Sequence, residues 1–299
     1  MRTLLPGFPV RAVGRKKPQR SYRRSIDRHA GRGLMLPRTS WFVGCGNMGG
    51  AMVEGWRKAG VDLSGMTAVS PSGRAIAGVK VVTSIPESEP DWCFLGFKPQ
   101  MIDAIAPDLE PHVGSDTVLL SILAGVELDS LRAKFPRARS VVRLMPNLPV
   151  SEGEGVTALL SNDTDDATRD AIQALHEKLG FAPWCKSDDE LVLISAIAGS
   201  GPAYVARFVD AFAIVGRELG LAPDVADKLA LETIAGTGLM ARKSGERMGD
   251  LAARVASPGG TTEAGLKVLD ADDGVVAMVR EVVAAARRRS DEMAAAARD

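Results

Sequence analysis

A glycine-rich turn near residue 45 constrains the fold of this chain more than any other feature. Gly44, Gly46 and Gly49 have the spacing G-x-G-x-x-G, between a short apolar segment, 41–43, and a segment with helical periodicity, 47–59. In such a turn the first glycine permits the tight bend, the second lets the backbone approach a pyrophosphate, and the third lets the helix pack closely on the strand. The turn predicts a nucleotide-binding unit, although a purely structural turn can carry the same glycines.

Apolar segments of strand length alternate with helical segments from residue 41 to residue 186. This alternation is typical of parallel strands joined by crossover helices, so we predict an α/β fold with a Rossmann-type, doubly wound sheet. Only about nine residues, 70–78, separate the second and third strands, which is too few for a crossover helix. The predicted strands are 41–43, 67–69, 79–82, 92–97, 117–122, 140–144, 157–160 and 181–185, and the predicted helices between them are 47–59, 100–106, 128–135 and 165–179.

From residue 188 onward the sequence predicts successive helices. Residues 204–215 and 226–240 are apolar on more faces than a monomer can bury, which predicts burial against a second subunit. We therefore expect a basic, disordered extension (1–38), an NADP-binding Rossmann domain (39–186) and an all-helical dimerisation and substrate domain (187–299). The predicted helices of the last domain are 188–197, 202–219, 224–241, 246–255, 261–270 and 274–297.

The charges are distributed unevenly along the chain. Residues 1–40 contain 11 Lys and Arg and one acid, whereas the remainder contains 26 basic and 36 acidic residues. A body about ten charges negative would repel a phosphate backbone, so we expect no nucleic-acid partner for it. The basic segment fits an inert tail, a start-site artefact, a transit peptide or a nucleic-acid arm.

The cysteines and the apolar runs narrow the class of protein further. Cys45, Cys93 and Cys185 have no paired spacing and lie far from the histidines in sequence, so neither a disulfide framework nor a metal site is expected. We found no apolar run of about 18 residues, the length that a membrane span requires, and therefore expect no membrane partner. A reducing, cytoplasmic compartment fits these features.

The segment after the second strand indicates which dinucleotide the turn would bind. An NAD enzyme places Asp or Glu there to accept hydrogen bonds from the ribose 2′-hydroxyl, whereas this chain has Ser70, Ser72 and Arg74. Two hydroxyls and a guanidinium suit a 2′-phosphate, so NADPH is the expected cofactor and NADH the alternative. The same residues are also ordinary turn chemistry.

A second candidate site lies in the predicted helical domain. Ser257-Pro-Gly-Gly-Thr-Thr262 stands between two helices, so main-chain N–H groups and the hydroxyls of Ser257, Thr261 and Thr262 would hold a small carboxylate. A plain interhelical loop is the alternative. Lys98 follows the predicted strand 92–97 at its carboxyl end, where ligands bind in open parallel sheets.

Five motifs, taken together and in this order, resemble the pyrroline-5-carboxylate reductase family over about residues 41–295. The first is shared by many dehydrogenases, whereas the last two are highly specific. The motifs are Phe42-Val-Gly-Cys-Gly-Asn-Met-Gly49, Phe97-Lys-Pro99, Arg143-Leu-Met-Pro-Asn147, Gly199-Ser-Gly-Pro-Ala-Tyr204 and Ser257-Pro-Gly-Gly-Thr-Thr262.

The resemblance implies NADPH-dependent reduction of 1-pyrroline-5-carboxylate to L-proline by an enzyme that acts on a CH–NH group, and homodimers that assemble further into decamers. It places Thr262 near the ring nitrogen of the substrate, as the catalytic residue. The predicted substrate-binding residues are Ser257, Gly260, Thr261 and Thr262. The predicted cofactor-binding residues are Gly44, Cys45, Gly46, Asn47, Met48, Gly49, Ser70, Ser72, Arg74, Phe97, Lys98, Pro99, Ala124 and Gly125.

Several positions depart from the family pattern, and two other functions are compatible with the motifs. Ala198 and Leu148 replace the usual Ser and Thr, Ile85 lies where a polar residue often faces the ribose, and 242–256 lacks the usual His-Pro. One alternative is an NADPH reductase for another imine or a hydroxy acid, but the lysine expected of hydroxy-acid enzymes is absent from 188–204. The other is a non-catalytic nucleotide-binding protein.

Overall fold

The computed structural model describes residues 36–296. Most of the basic extension predicted for 1–38 therefore lies outside the described residues. Within them, the chain forms an eight-stranded sheet, followed by helices alone from residue 188 to the end. The strands are β1 (Ser40–Val43), β2 (Met66–Val69), β3 (Lys80–Val82), β4 (Trp92–Leu95), β5 (Val118–Ser121), β6 (Ser140–Pro146), β7 (Gly155–Leu160) and β8 (Gly180–Phe181).

Helices cover both faces of this sheet and then form the second half of the chain. A short 3₁₀ turn, Pro99–Met101, precedes α2, and a π-helical turn, Ser195–Gly199, separates α5 from α6. The helices are α1 (Asn47–Lys58), α2 (Ile102–Leu109), α3 (Leu128–Lys134), α4 (Asp166–Glu177), α5 (Asp188–Ile194), α6 (Gly201–Glu218), α7 (Pro223–Ser244), α8 (Met248–Val255), α9 (Thr261–Asp270) and α10 (Gly274–Ala296).

The sheet is buried on both faces, as a doubly wound sheet must be. Along β1, Trp41 and Val43 belong to one cluster of buried side chains and Phe42 belongs to another. Alternate residues of a strand point to opposite faces, so the two clusters lie on opposite sides of the sheet. Helix α3 adds Leu131 to the first cluster, and α1 adds Trp56 to the second. The predicted fold class is confirmed.

The strand order is β3-β2-β1-β4-β5-β6-β7-β8, and β1 to β6 are parallel. The order reverses between β1 and β4, which creates a crevice at the carboxyl ends of these two strands. The short connection between β2 and β3 contains no helix. Instead the chain turns at once, and Ser70 N donates a hydrogen bond to Val82 O over 2.9 Å.

The last two strands correct the prediction of a wholly parallel sheet. β7 is antiparallel to β6, because the few residues between the two strands form only a 3₁₀ turn, Leu148–Glu152, and cannot cross the sheet. The strand predicted at 181–185 is also shorter, since regular pairing stops at Phe181. Pro183 has no N–H to donate and leaves a single further bridge, between Leu159 and Trp184.

The helices after residue 188 expose many apolar side chains, as the sequence predicted. In α6, Phe212 is 57% exposed, and in α7 Leu229 and Leu231 are 54% and 57% exposed. A monomer does not leave such a surface to water without cost, so these helices require a partner surface.

One helix among the described residues, Asp188–Glu218, is long and apolar enough to cross a membrane by length and composition alone. Its most apolar 18-residue window has a mean hydropathy of 1.4, and 6% of that window is buried. We expected no segment of this kind, and that expectation was wrong. Ala, Gly and Ser interrupt the run of large apolar residues, yet they lower the mean hydropathy only slightly.

Candidate functional site: a nucleotide cavity and a separate threonine loop

A cavity of about 1260 Å³ opens at the carboxyl ends of β1, β2 and β4. Its walls are the turn between β1 and α1, the loops that flank β3, and the segment from the end of β4 into α2. This position coincides with the reversal of strand order, where open α/β sheets bind ligands. The predicted cofactor-binding residues that line it are Gly44, Cys45, Gly46, Asn47, Ser70, Ser72, Arg74, Phe97 and Lys98.

Packing requires two of the three glycines in the turn. Gly44 has a φ of +78°, and a Cβ on it would lie 2.6 Å from both the Cβ and the backbone nitrogen of Phe97. A Cβ on Gly49 would lie 2.7 Å from Cε1 of Phe42 in β1. Any side chain at these positions would push the segment after β4, or helix α1, away from β1. These are the structural roles expected of the first and third glycines.

Gly46 differs from its neighbours because nothing in the protein crowds it. A Cβ at this position would meet no atom within 4 Å, and the φ of −80° lies outside the left-handed region. Gly46 is the N-cap of α1, and no side chain caps this helix end. The N–H groups and the positive dipole end of α1 are therefore available at the cavity wall, an arrangement that binds phosphate.

The loop after β2 presents hydroxyls and a guanidinium to the same cavity. The Oγ atoms of Ser70 and Ser72 lie 3.1 Å apart, and Arg74 N donates a hydrogen bond of 3.4 Å to Ser72 Oγ. Gly73, with a φ of +62°, makes the turn that brings these groups together. No carboxylate occurs in the loop. The arrangement suits the 2′-phosphate of NADP rather than a free ribose hydroxyl.

Positive charge in the cavity is uncompensated. Within residues 36–296, neither the Arg74 guanidinium nor the Lys98 ammonium has a hydrogen-bonding or ionic partner. Asp108 is the one carboxylate among the residues that line the cavity. Two free cations beside an uncapped helix terminus favour a ligand with several negative charges, such as a phosphorylated dinucleotide.

Cys45 lies in the turn, but its buried environment keeps its thiol unreactive. Burial raises the pKa of its thiol to about 11, because the low-dielectric surroundings disfavour the thiolate. The thiol is therefore protonated at neutral pH and is not a nucleophile. Its role in the cavity is to provide an apolar wall.

Five of the predicted cofactor-binding residues do not line the cavity. Met48 and Gly49 lie further along α1, and Pro99 begins the 3₁₀ turn before α2. Ala124 and Gly125 form a turn after the neighbouring strand β5, where Gly125 has a φ of +78°. Their contact with the cofactor stays a prediction.

The threonine loop, Ser257-Pro-Gly-Gly-Thr-Thr262, lies apart from this cavity and does not line it. Gly259 has a φ of +71°, Gly260 N donates a hydrogen bond of 2.9 Å to Ser257 O, and Gly260 is the N-cap of α9. No side chain caps α9. However, Gly259 N donates a hydrogen bond of 2.7 Å to Oε2 of Glu263, so this N–H of the predicted nest already has an anionic partner.

Comparisons with known proteins show which family the chain belongs to. A family model for pyrroline-5-carboxylate reductase dimerisation matches residues 188–293. The pyrroline-5-carboxylate reductase of Pseudomonas aeruginosa is 34% identical over 270 residues, which cover 87% of this chain and 98% of that protein. The chain belongs to the pyrroline-5-carboxylate reductase family. The resemblance inferred from the five motifs is confirmed.

Solved structures and a second family model extend the match to the sheet. A model described as NADP oxidoreductase, coenzyme F420-dependent, matches residues 41–125, which include the glycine turn. The pyrroline carboxylate reductase of Plasmodium falciparum, solved with NADP bound, has a TM-score of 0.75 at 27% identity and covers 87% of this chain and 99% of that one. The Coxiella burnetii enzyme has a TM-score of 0.78 at 26% identity, with 87% and 98% covered.

Membership of this reductase family explains the exposed apolar helices. The dimerisation match begins at Asp188, where the strands have ended, and spans α5 to most of α10. The exposed apolar side chains of α6 and α7, and the apolar segment Asp188–Glu218, therefore lie within the part of the chain that matches a dimerisation domain.

Two polar residues, Arg143 in β6 and Asn147 directly after it, link the sheet to these helices, and sequence reasoning gave them no role. Arg143, 5% exposed, forms an ion pair with Asp188 at the start of α5. Burial lowers the pKa of Arg143, whereas Asp188, and to a smaller extent Glu127, raise it. An arginine within an otherwise apolar strand was the signal in the sequence, because a buried charge needs a partner.

Asn147, at the end of the same motif, makes the second link. Its Nδ2 donates a hydrogen bond of 2.9 Å to the carbonyl oxygen of Ala198, in the π-helical turn before α6. Its Oδ1 accepts a hydrogen bond of 2.8 Å from Val156 N in β7. The amide thus satisfies a carbonyl in an irregular turn, and it fixes the start of α6 relative to the sheet.

Proposed function

We propose that this chain reduces 1-pyrroline-5-carboxylate to L-proline with NADPH as the hydride donor. The observation that carries the proposal is the cavity at the glycine turn, where an uncapped helix end, two serines and two unpaired cations meet. Family membership over almost the whole length of the Pseudomonas aeruginosa reductase supports the reaction class, an oxidoreductase acting on a CH–NH group.

The residues of the cavity fit NADPH, and each would do a distinct part of the binding. The N–H groups at the start of α1 would hold the pyrophosphate across Gly46, where no side chain intervenes. Ser70, Ser72 and Arg74 would hold the 2′-phosphate, and Lys98 would add a second positive charge. When bound, NADPH supplies the hydride. NADH, without the 2′-phosphate, would leave Arg74 without its partner and should be the poorer donor.

The threonine loop would bind the second reactant, 1-pyrroline-5-carboxylate. Because Glu263 occupies the N–H of Gly259, the donors left for a substrate carboxylate are the hydroxyls of Ser257 and Thr261 and the N–H groups at the start of α9. Thr262, half-buried beside them, would donate a hydrogen bond toward the ring nitrogen.

The chemistry requires positioning more than strong acids or bases. Reduction adds a hydride to the imine carbon and a proton, taken from solvent, to the nitrogen. The Thr262 hydroxyl would donate its hydrogen bond to the unprotonated nitrogen and relay that proton through water, because a protonated imine accepts the hydride most readily. The chain must therefore hold the substrate ring against the donor and keep its nitrogen hydrogen-bonded, which is the role proposed for Thr262.

We propose that assembly brings the loop and the cavity together, because the loop does not line the cavity of its own chain. We propose a homodimer through α6, α7 and their neighbours, further assembly of dimers into decamers, and a cytoplasmic location without membrane or nucleic-acid partners. These helices expose large apolar side chains such as Val205 and Leu231, and this exposure supports the dimer.

The decisive experiment is oxidation of NADPH and of NADH, in separate assays, with 1-pyrroline-5-carboxylate. We expect L-proline to form with both and kcat/KM to be at least about tenfold higher with NADPH. NADH lacks the 2′-phosphate and therefore loses the charge-assisted hydrogen bond to Arg74. Binding of NADPH without turnover would support the non-catalytic alternative. Turnover of another cyclic imine, or NADP-linked oxidation of a hydroxy acid, in place of 1-pyrroline-5-carboxylate would support the alternative reductase.

Thr262→Val tests the substrate end. This nearly isosteric change removes the hydroxyl, and we expect kcat/KM for 1-pyrroline-5-carboxylate to fall by about 100-fold, the lower end of what a positioned proton donor contributes. NADPH affinity should not change. Thr262→Ser keeps the hydroxyl and should retain activity within about threefold of the original. Equal activities of the valine and serine variants would refute the role of Thr262.

A further inference from the structure

One face of α2 and of the turn before it lines the nucleotide cavity. Met101, Ala104, Ile105 and Asp108 all lie at the cavity wall. Their spacing of i, i+3, i+4 and i+7 places them on a single helix face. The first three are apolar and the fourth is a carboxylate, so this face changes from apolar to acidic over about 10 Å.

The loops that flank β3 add two more apolar residues to the lining of the cavity. Ile76 and Ile85, both half-buried, line the cavity from the loops on either side of β3. Ile76 follows the loop of Ser70, Ser72 and Arg74, so this apolar slot adjoins the proposed 2′-phosphate site. Adenine is attached to the ribose that carries that phosphate, and its flat faces are apolar. The slot therefore suits the adenine base.

Asp108 needs an explanation in a cavity that attracts anions. Its carboxylate is exposed, it has no partner among residues 36–296, and no other acid lines the cavity. A carboxylate would repel any phosphate placed near it. It is compatible with the ligand only where the ligand presents a hydrogen-bond donor. Adenine, which the apolar lining suits, has such a donor in its exocyclic amino group.

We propose that Asp108 accepts a hydrogen bond from the exocyclic amino group of adenine and thereby selects an adenine nucleotide against a 6-oxopurine nucleotide. The inference rests on the proposed binding of NADPH. A carboxylate can only accept hydrogen bonds, whereas hypoxanthine presents an oxygen at the same position. The two acceptors repel each other, and the nearest donor of hypoxanthine, N1–H, lies one ring atom away, so the hydrogen bond that adenine makes is lost unless the base moves.

The test measures binding of NADPH and of reduced nicotinamide hypoxanthine dinucleotide phosphate to the full chain, by fluorescence of the dihydronicotinamide and without substrate. We expect the unaltered protein to bind NADPH at least about tenfold more tightly, the ratio expected for one hydrogen bond to a charged group. In Asp108→Asn the ratio should fall to within about threefold, because the amide can donate to the oxygen of hypoxanthine.

Asp103→Asn is the matched control. Asp103 is an exposed aspartate of the same helix that pairs with Lys134 and does not line the cavity, so the same loss of charge should leave the ratio unchanged. Equal affinities of the unaltered protein for the two nucleotides would overturn the inference. So would an Asp108→Asn variant that shifts both affinities by one common factor, since Asp108 would then act through charge alone.

The same measurements separate this inference from the proposed function. Selective binding of NADPH by a protein that does not reduce 1-pyrroline-5-carboxylate would leave the role of Asp108 standing and refute the proposed reaction. Binding of NADPH without selectivity would refute only the role of Asp108. Binding of neither nucleotide would overturn both.

Discussion

Replacing Gly46 with alanine should weaken NADPH binding by about 100-fold with little loss of stability. The added Cβ meets no protein atom within 4 Å and the φ of −80° lies outside the left-handed region, so the folded state loses only the modest preference of an N-cap for glycine over alanine. The methyl group would stand where the proposed pyrophosphate approaches the start of α1. We expect NADPH affinity, measured by fluorescence titration, to fall by about 100-fold while Tm changes by less than about 2 °C.

Gly44→Ala provides the contrast, because the same methyl group two residues earlier should act on stability. Its Cβ would lie 2.6 Å from Phe97, at a φ of +78° that alanine rarely adopts. We expect a loss of about 3 kcal/mol in the free energy of unfolding, from overpacking and backbone strain together. Unchanged NADPH binding by Gly46→Ala would refute the phosphate site at this turn. A Tm for Gly44→Ala equal to that of the unaltered protein would refute the packing argument.

The ion pair between β6 and α5 should respond asymmetrically to mutation. Arg143 is buried, whereas the Asp188 side chain is 49% exposed. Asp188→Ala leaves a buried cation whose remaining negative neighbour is Glu127, and we expect it to cost about 3 kcal/mol in the free energy of unfolding. Arg143→Met leaves a carboxylate that water can solvate and should cost less than about 1.5 kcal/mol.

Urea unfolding at one fixed protein concentration would measure these changes, since assembly contributes to stability. Asp189→Ala is the control. Asp189 follows Asp188 in the first turn of α5, but its side chain is 87% exposed and its ion pair with Arg287 lies at the surface. The change should therefore lower the free energy of unfolding by less than about 1 kcal/mol. The double variant Arg143→Met with Asp188→Ala should recover part of the loss. A larger cost for Arg143→Met than for Asp188→Ala would contradict this account.

The sequence predicted the fold and the nucleotide end of the site well, because both depend on local patterns. Hydrophobic periodicity predicted the strands and helices, and the glycine spacing predicted the turn that the structure shows at the carboxyl end of β1. Seven residues of the turn and the following serine loop, Gly44 to Asn47 with Ser70, Ser72 and Arg74, line one cavity as that reasoning expected.

Long-range features escaped sequence reasoning. The antiparallel direction of β7 follows from which edge of the sheet a short connection can reach, and the truncation at Phe181 follows from Pro183 beside a specific partner strand. The length of the apolar segment in Asp188–Glu218 was also underestimated, because small residues separate the large apolar ones that mark such a segment. Glu263 was not foreseen as the partner of Gly259 in the threonine loop.

By itself the sequence determined the order of the elements, the glycine turn and the absence of an acid after β2, since each depends on residues close together in the chain. Only the tertiary structure showed that Arg143 and Asn147 connect β6 to α5 and to the π-helical turn, and that Asp108 faces the same cavity as Arg74. The residues in each of these pairs are 34 to 51 positions apart, and hydrophobic or glycine spacing carries no information about which polar side chains will come together once the chain has packed.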